Sequence, residues 1–423
     1  MPDYSISREK FVKGAGMAAA AAAAAFPAFV PRRSEAEETV KIGQVESLVG
    51  PFSVFAKTEV QAAAMAVDAW NKRGGVLGRK VEVVVGDDQN NPGTAVLKAR
   101  SLVYQDKCVA LMGTVNSAAT LSVSATAASL GVVFVDSGGH TDAVVGEKCS
   151  WNSFQTCHNT WMMTHATGYS IAKLFGKRWY LITPDYAFGH TVAKGYEDVI
   201  KRIGGQIVGN DLVPMGTADY SSYLLKVEAA KPDCLIAIPG GQDLVNLLKQ
   251  ADSYGLLGKI PVAGPYTELE VVWQLPKSAR VGYWGVEWYY KGDIVFGKGN
   301  LEAQRFVDEY RKRYGYPPTP YSVGAYVSMD RLLWAINEAK STDGVKVART
   351  LEGAEFKSVW AGTSSYRKID HELMWPAFFS KVRPEGTPED KYDVLEILDR
   401  QEASAIAPSE RAQAAVCHLG YPG

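Results

Sequence analysis

The 423-residue sequence lacks the short motifs that mark common nucleotide sites and active sites. No G-x-G-x-x-G follows its first apolar strand and no G-x-x-x-x-G-K-[ST] occurs, which argues against a dinucleotide or a nucleoside triphosphate as ligand. It has no G-x-S-x-G elbow, no H-E-x-x-H helix and only six histidines. The nearest approach to a reactive cluster is the D-H-E string at residues 370–372. The sequence therefore favours binding without catalysis and without a cofactor.

Net charge is nearly absent as well. The 45 basic and 46 acidic side chains leave a formal charge of -1 at pH 7, so no broad electrostatic field recruits nucleic acid or anionic lipid. Apolar residues make up 47% and charged residues 22%, which is typical of a soluble globular protein. A chain of this length indicates two or three domains. The expected partner is a small molecule or another protein, not a nucleic acid.

Cysteine is scarce, and its spacing excludes a common metal site. The five cysteines form no C-x-x-C pair, so a structural zinc site is not expected. None precedes Cys108, so there is no lipobox, and Cys108 and Cys234 lie in apolar strand patterns typical of the core. Cys149 and Cys417 lie in polar segments, where an oxidising compartment would let them bridge and hold the C-terminal tail. A bridge between Cys149 and Cys157 is the alternative.

Residues 1–36 are typical of an export signal. Three basic side chains at residues 8–13 precede an apolar run at residues 15–30. A membrane anchor is the alternative, but the run is short and is interrupted by Pro27 and followed by Pro31. The string SREKFVK resembles the twin-arginine export motif with glutamate in place of the second arginine, which leaves the export route open. We expect a cleaved signal and a soluble periplasmic protein.

Residues 39–93 read as one β-loop-α-β unit. An apolar strand (VKIGQV) precedes a Gly-Pro loop, an alanine-rich helix closed by Gly74 and Gly75, and a second strand (KVEVVVGDD). Ligands of open α/β sheets lie beyond the carboxyl ends of parallel strands. The loop at residues 47–55 is therefore a candidate site.

Strands and helices continue to alternate along the chain, which predicts parallel sheets covered by helices on both faces. Four strands are expected by residue 136, and a second run with similar spacing follows. Phe55, before the helix that ends at residues 74–75, corresponds to Phe188, before a helix that ends at residues 204–205. We predict an α/β fold of two doubly wound parallel-sheet lobes.

The remaining segments are too small for a third sheet. Helices after residue 284 without partner strands are expected to return to the first lobe. We predict that lobe 1 comprises residues 37–157 and 285–362 and that lobe 2 comprises residues 158–284 and 363–382. Residues 383–423 are expected to form an irregular tail.

With this layout, the sequence resembles the type I periplasmic solute-binding proteins of ABC importers, in the group related to the leucine/isoleucine/valine-binding protein. The resemblance covers residues 39–382. Its segments include KIGQVESLVGPFS, NKRGGVLGRKVEVVVGDDQNNP, MGTVNSAATLSV, DYAFGHTVAKGYEDVIKRIGGQIVG, LVNLLKQADSYGL and RKIDHELMWPAFF. LITPDYAFGH and the cysteine-bearing loop and tail are most similar to a subgroup that includes binders of aromatic acids.

The resemblance implies two lobes joined by a hinge of three crossover segments, which close on a small solute. It implies a monomeric, extracytoplasmic binding component that delivers its solute to an ABC permease at the inner membrane, with no metal and no cofactor. The implied solute is a small carboxylate or amide such as a branched-chain amino acid. The alternatives are import of an aromatic acid, or a sensor that presents its ligand to a membrane receptor.

The candidate binding residues of lobe 1 surround the start of one helix. Ser117 opens a helix after the strand CVALMG, where a capping hydroxyl, free amides and the helix dipole favour a carboxylate. In relatives the carboxylate site includes positions that match Ala119, Gly138 and His140. An imidazole at His140 would make binding depend on pH, although a surface histidine is the alternative. Phe55 is expected to face lobe 2 across the cleft, with a place in the core as the alternative.

The candidate residues of lobe 2 are Asp185, Phe188, Gly240 and Tyr266. The first three lie in loops that follow predicted strands. Tyr266 falls near the position where amino-acid-binding relatives carry an acid for the ligand's ammonium. Here the ligand's ammonium would be bound by a nearby acid, either Asp243 or Glu268, or by the face of the tyrosine ring.

Overall fold

The computed structural model describes residues 39–422, so the predicted export signal lies outside the described residues. Within this range, no helix combines the length and apolar character needed to cross a membrane. The first sheet and its helices, called lobe 1 below, contain β1 (Val40–Glu46), α1 (Ser53–Lys72), β2 (Val81–Asp87), α2 (Pro92–Tyr104), β3 (Ala110–Gly113), α3 (Ser117–Leu130), β4 (Phe134–Asp136) and β5 (Ser153–Gln155). All five strands are parallel, in the order β2-β1-β3-β4-β5.

The second sheet and its helices form lobe 2. The elements are α4 (Thr160–Phe175), β6 (Arg178–Pro184), α5 (Ala187–Arg202), β7 (Gln206–Val213), α6 (Ser221–Ala230), β8 (Cys234–Ala237), α7 (Gly241–Ser253), β9 (Val262–Gly264), α8 (Leu269–Gln274), β10 (Tyr283–Val286), β11 (Ala377–Val382) and β12 (Leu395–Gln401). The strand order is β12-β11-β10-β9-β8-β6-β7. Strands β6 to β10 run parallel, and β11 and β12 add an antiparallel edge.

A helical block between β10 and β11 packs on lobe 1. It contains α9 (Asp293–Phe296), α10 (Leu301–Tyr314), α11 (Pro320–Glu338) and α12 (Gly344–Leu351). Helix α11 packs on α1, where Trp70 Nε1 donates a hydrogen bond of 2.9 Å to Asp330. Ala62, Ala63 and Ala66 of α1 are fully buried, and such small side chains let two helices approach closely. The prediction of two parallel-sheet lobes is confirmed.

Two features of the fold differ from the expectation. The short strand β5 was not predicted. Residues 383–422 are not irregular throughout, because β12 pairs with β11 and two short helices follow, α13 (Ala403–Ile406) and α14 (Glu410–Ala414). The sequence pattern does not indicate β12 because this strand lies at the edge of the sheet and has one face in water. Leu395 is buried and Ile397 is partly buried, but most of their neighbours are charged or polar.

Three crossover segments join the lobes, at residues 156–159, 287–292 and 374–376. His158 in the first crossover connects all three. Its backbone amide donates to Glu287 in the second at 2.5 Å, and its Nε2 lies 3.1 Å from the carbonyl oxygen of Trp375 in the third. The imidazole also stacks on Trp375 with ring centroids 4.5 Å apart. The predicted lobe boundaries stay a proposal, and residues 364–373 still pair with segments of lobe 1.

A disulfide joins Cys149 to Cys417, as expected. Cys108, Cys157 and Cys234 are free and buried. Cys108 and Cys234 therefore belong to the core, as their apolar surroundings in the sequence indicated.

Candidate functional site

The carboxyl ends of strands in both sheets meet at one enclosed space between the lobes. Lobe 1 lines it with Phe52, Val115, Ser117, His140 and Tyr321, and lobe 2 with Tyr186, Phe188, Gly240, Tyr266 and Glu268. The space left between these side chains is about 10 Å³, close to the volume of one water-sized sphere. The lobes are therefore closed on each other, and a solute as large as an amino acid enters only when they separate.

Five of the nine predicted binding residues line this space, and Asp185 does not. The five are Ser117, His140, Phe188, Gly240 and Tyr266. The Asp185 side chain is 53% exposed and lies 3.0 Å from His190 on the surface of lobe 2. It follows the correct strand but points away from the cleft.

Three residues predicted for lobe 1 lie behind the lining instead of in it. Phe55 is fully buried and stacks on Tyr321 with ring centroids 4.6 Å apart. Ala119 is buried within α3, and the backbone amide of Gly138 donates to Asp136. Phe52 takes the place expected for Phe55, because α1 begins at residue 53 and turns Phe55 towards the core.

The start of α3 offers less to an anion than the sequence indicated. Asn116, not Ser117, caps the helix, and its side-chain oxygen accepts from the amides of Ala118 and Ala119 at 2.9 and 3.2 Å. The Ser117 hydroxyl donates to the carbonyl oxygen of Gly139 at 2.5 Å. A carboxylate at this corner must therefore compete with existing hydrogen bonds.

His140 presents a hydrogen-bond acceptor to the space between the lobes. Its Nδ1 lies 3.0 Å from the carbonyl oxygen of His158, and a carbonyl only accepts, so Nδ1 carries the proton. Burial lowers the pKa of His140 below its usual value of 6.5, which favours the neutral ring. Its buried Nε2 then has a free lone pair and no hydrogen-bond partner within residues 39–422.

Glu268 presents a second acceptor from the opposite lobe. It is 2% exposed, and its Oε2 has no partner in the described part of the chain. Burial raises the pKa of Glu268 to about 8. None of the ten described residues around the space is lysine or arginine. With Glu268 ionised, both of these polar groups without a partner among residues 39–422 are acceptors, which suit a ligand with N–H donors.

Aromatic rings enclose these two acceptors and bridge the lobes. The Tyr266 hydroxyl donates to the Tyr321 hydroxyl at 2.5 Å, from lobe 2 to lobe 1. The rings of Phe52 and Tyr186 are 6.1 Å apart across the cleft, and those of His140 and Tyr266 are 5.1 Å apart. Aromatic faces attract cations with about 0.5 to 2 kcal/mol. The enclosure therefore suits an apolar solute that also carries positive charge.

Sequence reasoning missed Phe52, Val115, Tyr186 and Tyr321 and named Glu268 only as a substitute. Tyr186 and Val115 lie within two residues of predicted positions, so the loops were correct and the side chains were not. Tyr321 comes from α11, far along the chain, and no local pattern marks it. Among the described residues, no group of three or more histidine, cysteine or acidic side chains could hold a metal ion.

Buried carboxyls in and near the site should make the protein less stable as the pH rises. Burial raises the pKa of Glu59 and of Glu268 from 4.5 to about 8, so the folded protein holds protons that the unfolded chain has released. Between about pH 6.5 and 8, the free energy of unfolding should therefore fall as the pH rises. One such group lowers it by up to about 1.4 kcal/mol per pH unit. His140, whose pKa is lowered, is neutral in both states above its usual 6.5 and does not offset this.

Thermal unfolding between pH 6.5 and 8.5 measures this dependence, and the Glu59→Gln variant is the comparison. Because glutamine does not titrate, its slope should be shallower. Equal slopes for the two proteins would show that Glu59 is ionised in the folded state.

A family model described as periplasmic binding protein matches residues 39–387. A "Leu/Ile/Val-binding protein homolog 7" from Brucella suis biovar 1 (strain 1330) is 26% identical over 337 residues, which cover 76% of this chain and 83% of the relative.

Solved structures resemble most of the chain. A periplasmic binding protein from Burkholderia mallei has a TM-score of 0.81 at 25% identity and covers 89% of this chain and 98% of its own. An amino acid ABC transporter substrate-binding protein from Pseudomonas fluorescens Pf-5 has a TM-score of 0.81 at 26% identity, covering 90% of this chain and 99% of its own. The two-lobed architecture is thus shared with these proteins.

Proposed function

Because this chain belongs to the periplasmic binding protein family, we propose that it is the solute-binding component of an ABC importer. It captures a small solute between its lobes in the periplasm and presents the closed form to a permease at the inner membrane. Residues 1–36 direct export and are then removed. The protein acts as a monomer and catalyses no reaction.

The proposed solute is small and partly apolar and carries an amine or amide, such as a branched-chain amino acid. The observation that supports this proposal is a pair of buried polar atoms, Glu268 Oε2 and His140 Nε2, which have no hydrogen-bond partner among residues 39–422 and lie inside an aromatic enclosure between the lobes. An ammonium group donates to both, and Ser117 and the start of α3 meet a carboxylate. The names of the similar proteins, for leucine, isoleucine and valine and for amino acids, agree with this class.

Import of an aromatic acid is the second candidate. The rings around the space favour a planar solute that stacks. Against it, no basic side chain lines the described space, and Glu268 in its ionised form would repel a carboxylate. The amine-bearing solute is therefore the first choice.

Binding energy is sufficient for closure by such a solute. Moving the lobes from mostly open to mostly closed takes about 5.5 kcal/mol of differential affinity. A micromolar solute supplies about 8 kcal/mol in total. Binding of the solute can therefore supply the free energy that closes the lobes.

A thermal-shift screen tests the solute class. The panel contains branched-chain, polar and aromatic amino acids, their amides, benzoate, short aliphatic carboxylates and urea. Branched-chain amino acids at 100 times their dissociation constant should stabilise the protein by about 2.7 kcal/mol, a shift of a few degrees. Stabilisation by benzoate without any amine-bearing hit would favour the second candidate, and no hit with the whole panel would contradict solute capture.

A further inference from the structure

The C-terminal tail forms a fourth connection between the lobes, and we propose that it limits how far they open. Residues 402–417, called the strap below, start at the end of β12 in lobe 2 and end at the disulfide to Cys149 in lobe 1. The three crossovers are single passes of the chain. The strap adds a further tether that is covalent at both ends.

The first part of the strap is fixed to lobe 2. It continues from β12, which pairs with β11 at the edge of the second sheet. Ala403 and Ile406 of α13 are buried in an apolar cluster with Met162 and Ala166 of α4. This end therefore moves with lobe 2.

The second part of the strap is fixed to lobe 1. The carbonyl oxygen of Pro408 accepts from Arg367 at 2.8 Å, and Gln413 Nε2 donates to Asp370 at 2.7 Å and to the carbonyl oxygen of Val145 at 3.0 Å. The D-H-E segment that contains Asp370 pairs with β5 of the first sheet. The anchor changes from lobe 2 to lobe 1 between residues 407 and 408.

The disulfide makes the lobe 1 anchor permanent, and the residues beyond it extend it. Cys417 is 3% exposed. The backbone amide of Trp151 donates to the carbonyl oxygen of Leu419 at 2.7 Å, and the rings of Trp151 and Tyr421 lie 6.0 Å apart. Thermal fraying of the tail therefore cannot release the strap.

A groove lies between the strap and the lobes. Its volume is about 670 Å³, and its walls include Asp142 of lobe 1, Trp161 of α4, Lys194 of α5, and Ala412 and Gln413 of the strap. Because both lobes and the strap share this groove, rotation of one lobe changes the distance that the strap must span. The strap lengthens only by unwinding α13 or α14, from about 1.5 to about 3.4 Å per residue, and that also breaks the contacts of its anchors.

Two variants test the limit on opening, both purified from the periplasm of the expressing cell and free of solute. Cys149→Ser/Cys417→Ser removes the covalent anchor. A six-residue Gly-Ser linker between Ala407 and Pro408 keeps the disulfide and adds slack at the point where the anchor changes. Both should increase the radius of gyration in small-angle scattering and speed hydrogen exchange in the crossovers at residues 156–159 and 287–292 about tenfold.

The control is the same linker between Lys298 and Gly299, on the exposed surface of lobe 1, and it should leave crossover exchange unchanged. If the linker at residue 407 behaves like this control, the strap only stabilises the fold and the proposal is wrong. The linker variant decides the question even if the disulfide-free protein does not fold. These measurements contain no solute, so a negative result would contradict the proposal for the strap but not the proposed function. A solute screen without hits would contradict the proposed function but not the proposal for the strap.

Discussion

Replacing Gly241 by alanine is expected to weaken solute binding by more than about 100-fold while both lobes remain folded. Gly241 is the first residue of α7 in lobe 2, and an added Cβ would lie 2.5 Å from the carbonyl oxygen of Pro51 in lobe 1. That oxygen belongs to the backbone and cannot turn aside. The lobes must therefore stop short of full closure.

The size of the expected loss in affinity follows from destabilisation of the closed form alone. A penalty of about 3 kcal/mol on the closed form lowers the apparent affinity by more than 100-fold, because binding and closure are coupled. The open form avoids the clash. Isothermal titration with the solute found in the thermal-shift screen measures the loss.

Gly204→Ala is the matched control for this variant. Gly204 lies in the same lobe with φ +67°, close to the φ of +57° at Gly241, and an added Cβ there would meet nothing within 4 Å. Both variants pay a similar cost of about 1 to 2 kcal/mol for left-handed backbone, but only one obstructs the cleft. Gly204→Ala should have a lower melting temperature than the wild type and an unchanged affinity for the solute. Equal affinity of the two variants would mean that the lobes close without bringing residue 241 to Pro51.

Glu268→Gln is expected to weaken an amine-bearing solute by roughly 10- to 150-fold, the equivalent of about 1.5 to 3 kcal/mol for a hydrogen bond to a charged group. Glutamine keeps the shape of the side chain and removes the charge. In the wild type, the raised pKa of Glu268, about 8, means that the acid must release its proton to pair with an ammonium. Affinity should therefore rise from pH 6 to 8, and the variant should lose this dependence.

Glu270→Gln controls for the loss of a buried acid. Glu270 is 4% exposed, accepts from Thr58 at 3.2 Å and does not line the space between the lobes. Burial raises its pKa to about 7, so it resembles Glu268 in environment but not in position. The side-chain oxygen of glutamine can still accept from Thr58 of lobe 1, so this contact between the closed lobes is kept and affinity should be close to that of the wild type. If Glu268→Gln binds amines as tightly as Glu270→Gln does, another group meets the ammonium.

The two-lobed fold was accessible from the sequence because its signals are periodic and local. Alternating strands and helices, closed by glycine pairs such as Gly74 and Gly75, predict parallel sheets without knowledge of distant contacts. The carboxyl ends of strands then identify the loops at the cleft. Ser117 was found in this way, whereas His140 came from the resemblance to the family and Phe188 from the correspondence of the two runs.

The choice of side chain within those loops was less accessible. Phe52 and Phe55 are three residues apart, and the start of α1 between them decides which one faces the cleft. Whether an acid such as Asp185 points into a cleft or into water depends on backbone direction at one turn. Tyr321 reaches the site only through the packing of α11 on lobe 1. These outcomes depend on tertiary contacts that no short window of sequence contains.

The disulfide between Cys149 and Cys417 also decides what a protease can do to this protein. It closes a covalent ring through residues 150–416, which includes the whole second sheet and all three crossovers. A single peptide-bond cleavage anywhere in that ring opens it but leaves one connected molecule. The two fragments separate only after reduction, so a nicked copy keeps both lobes together.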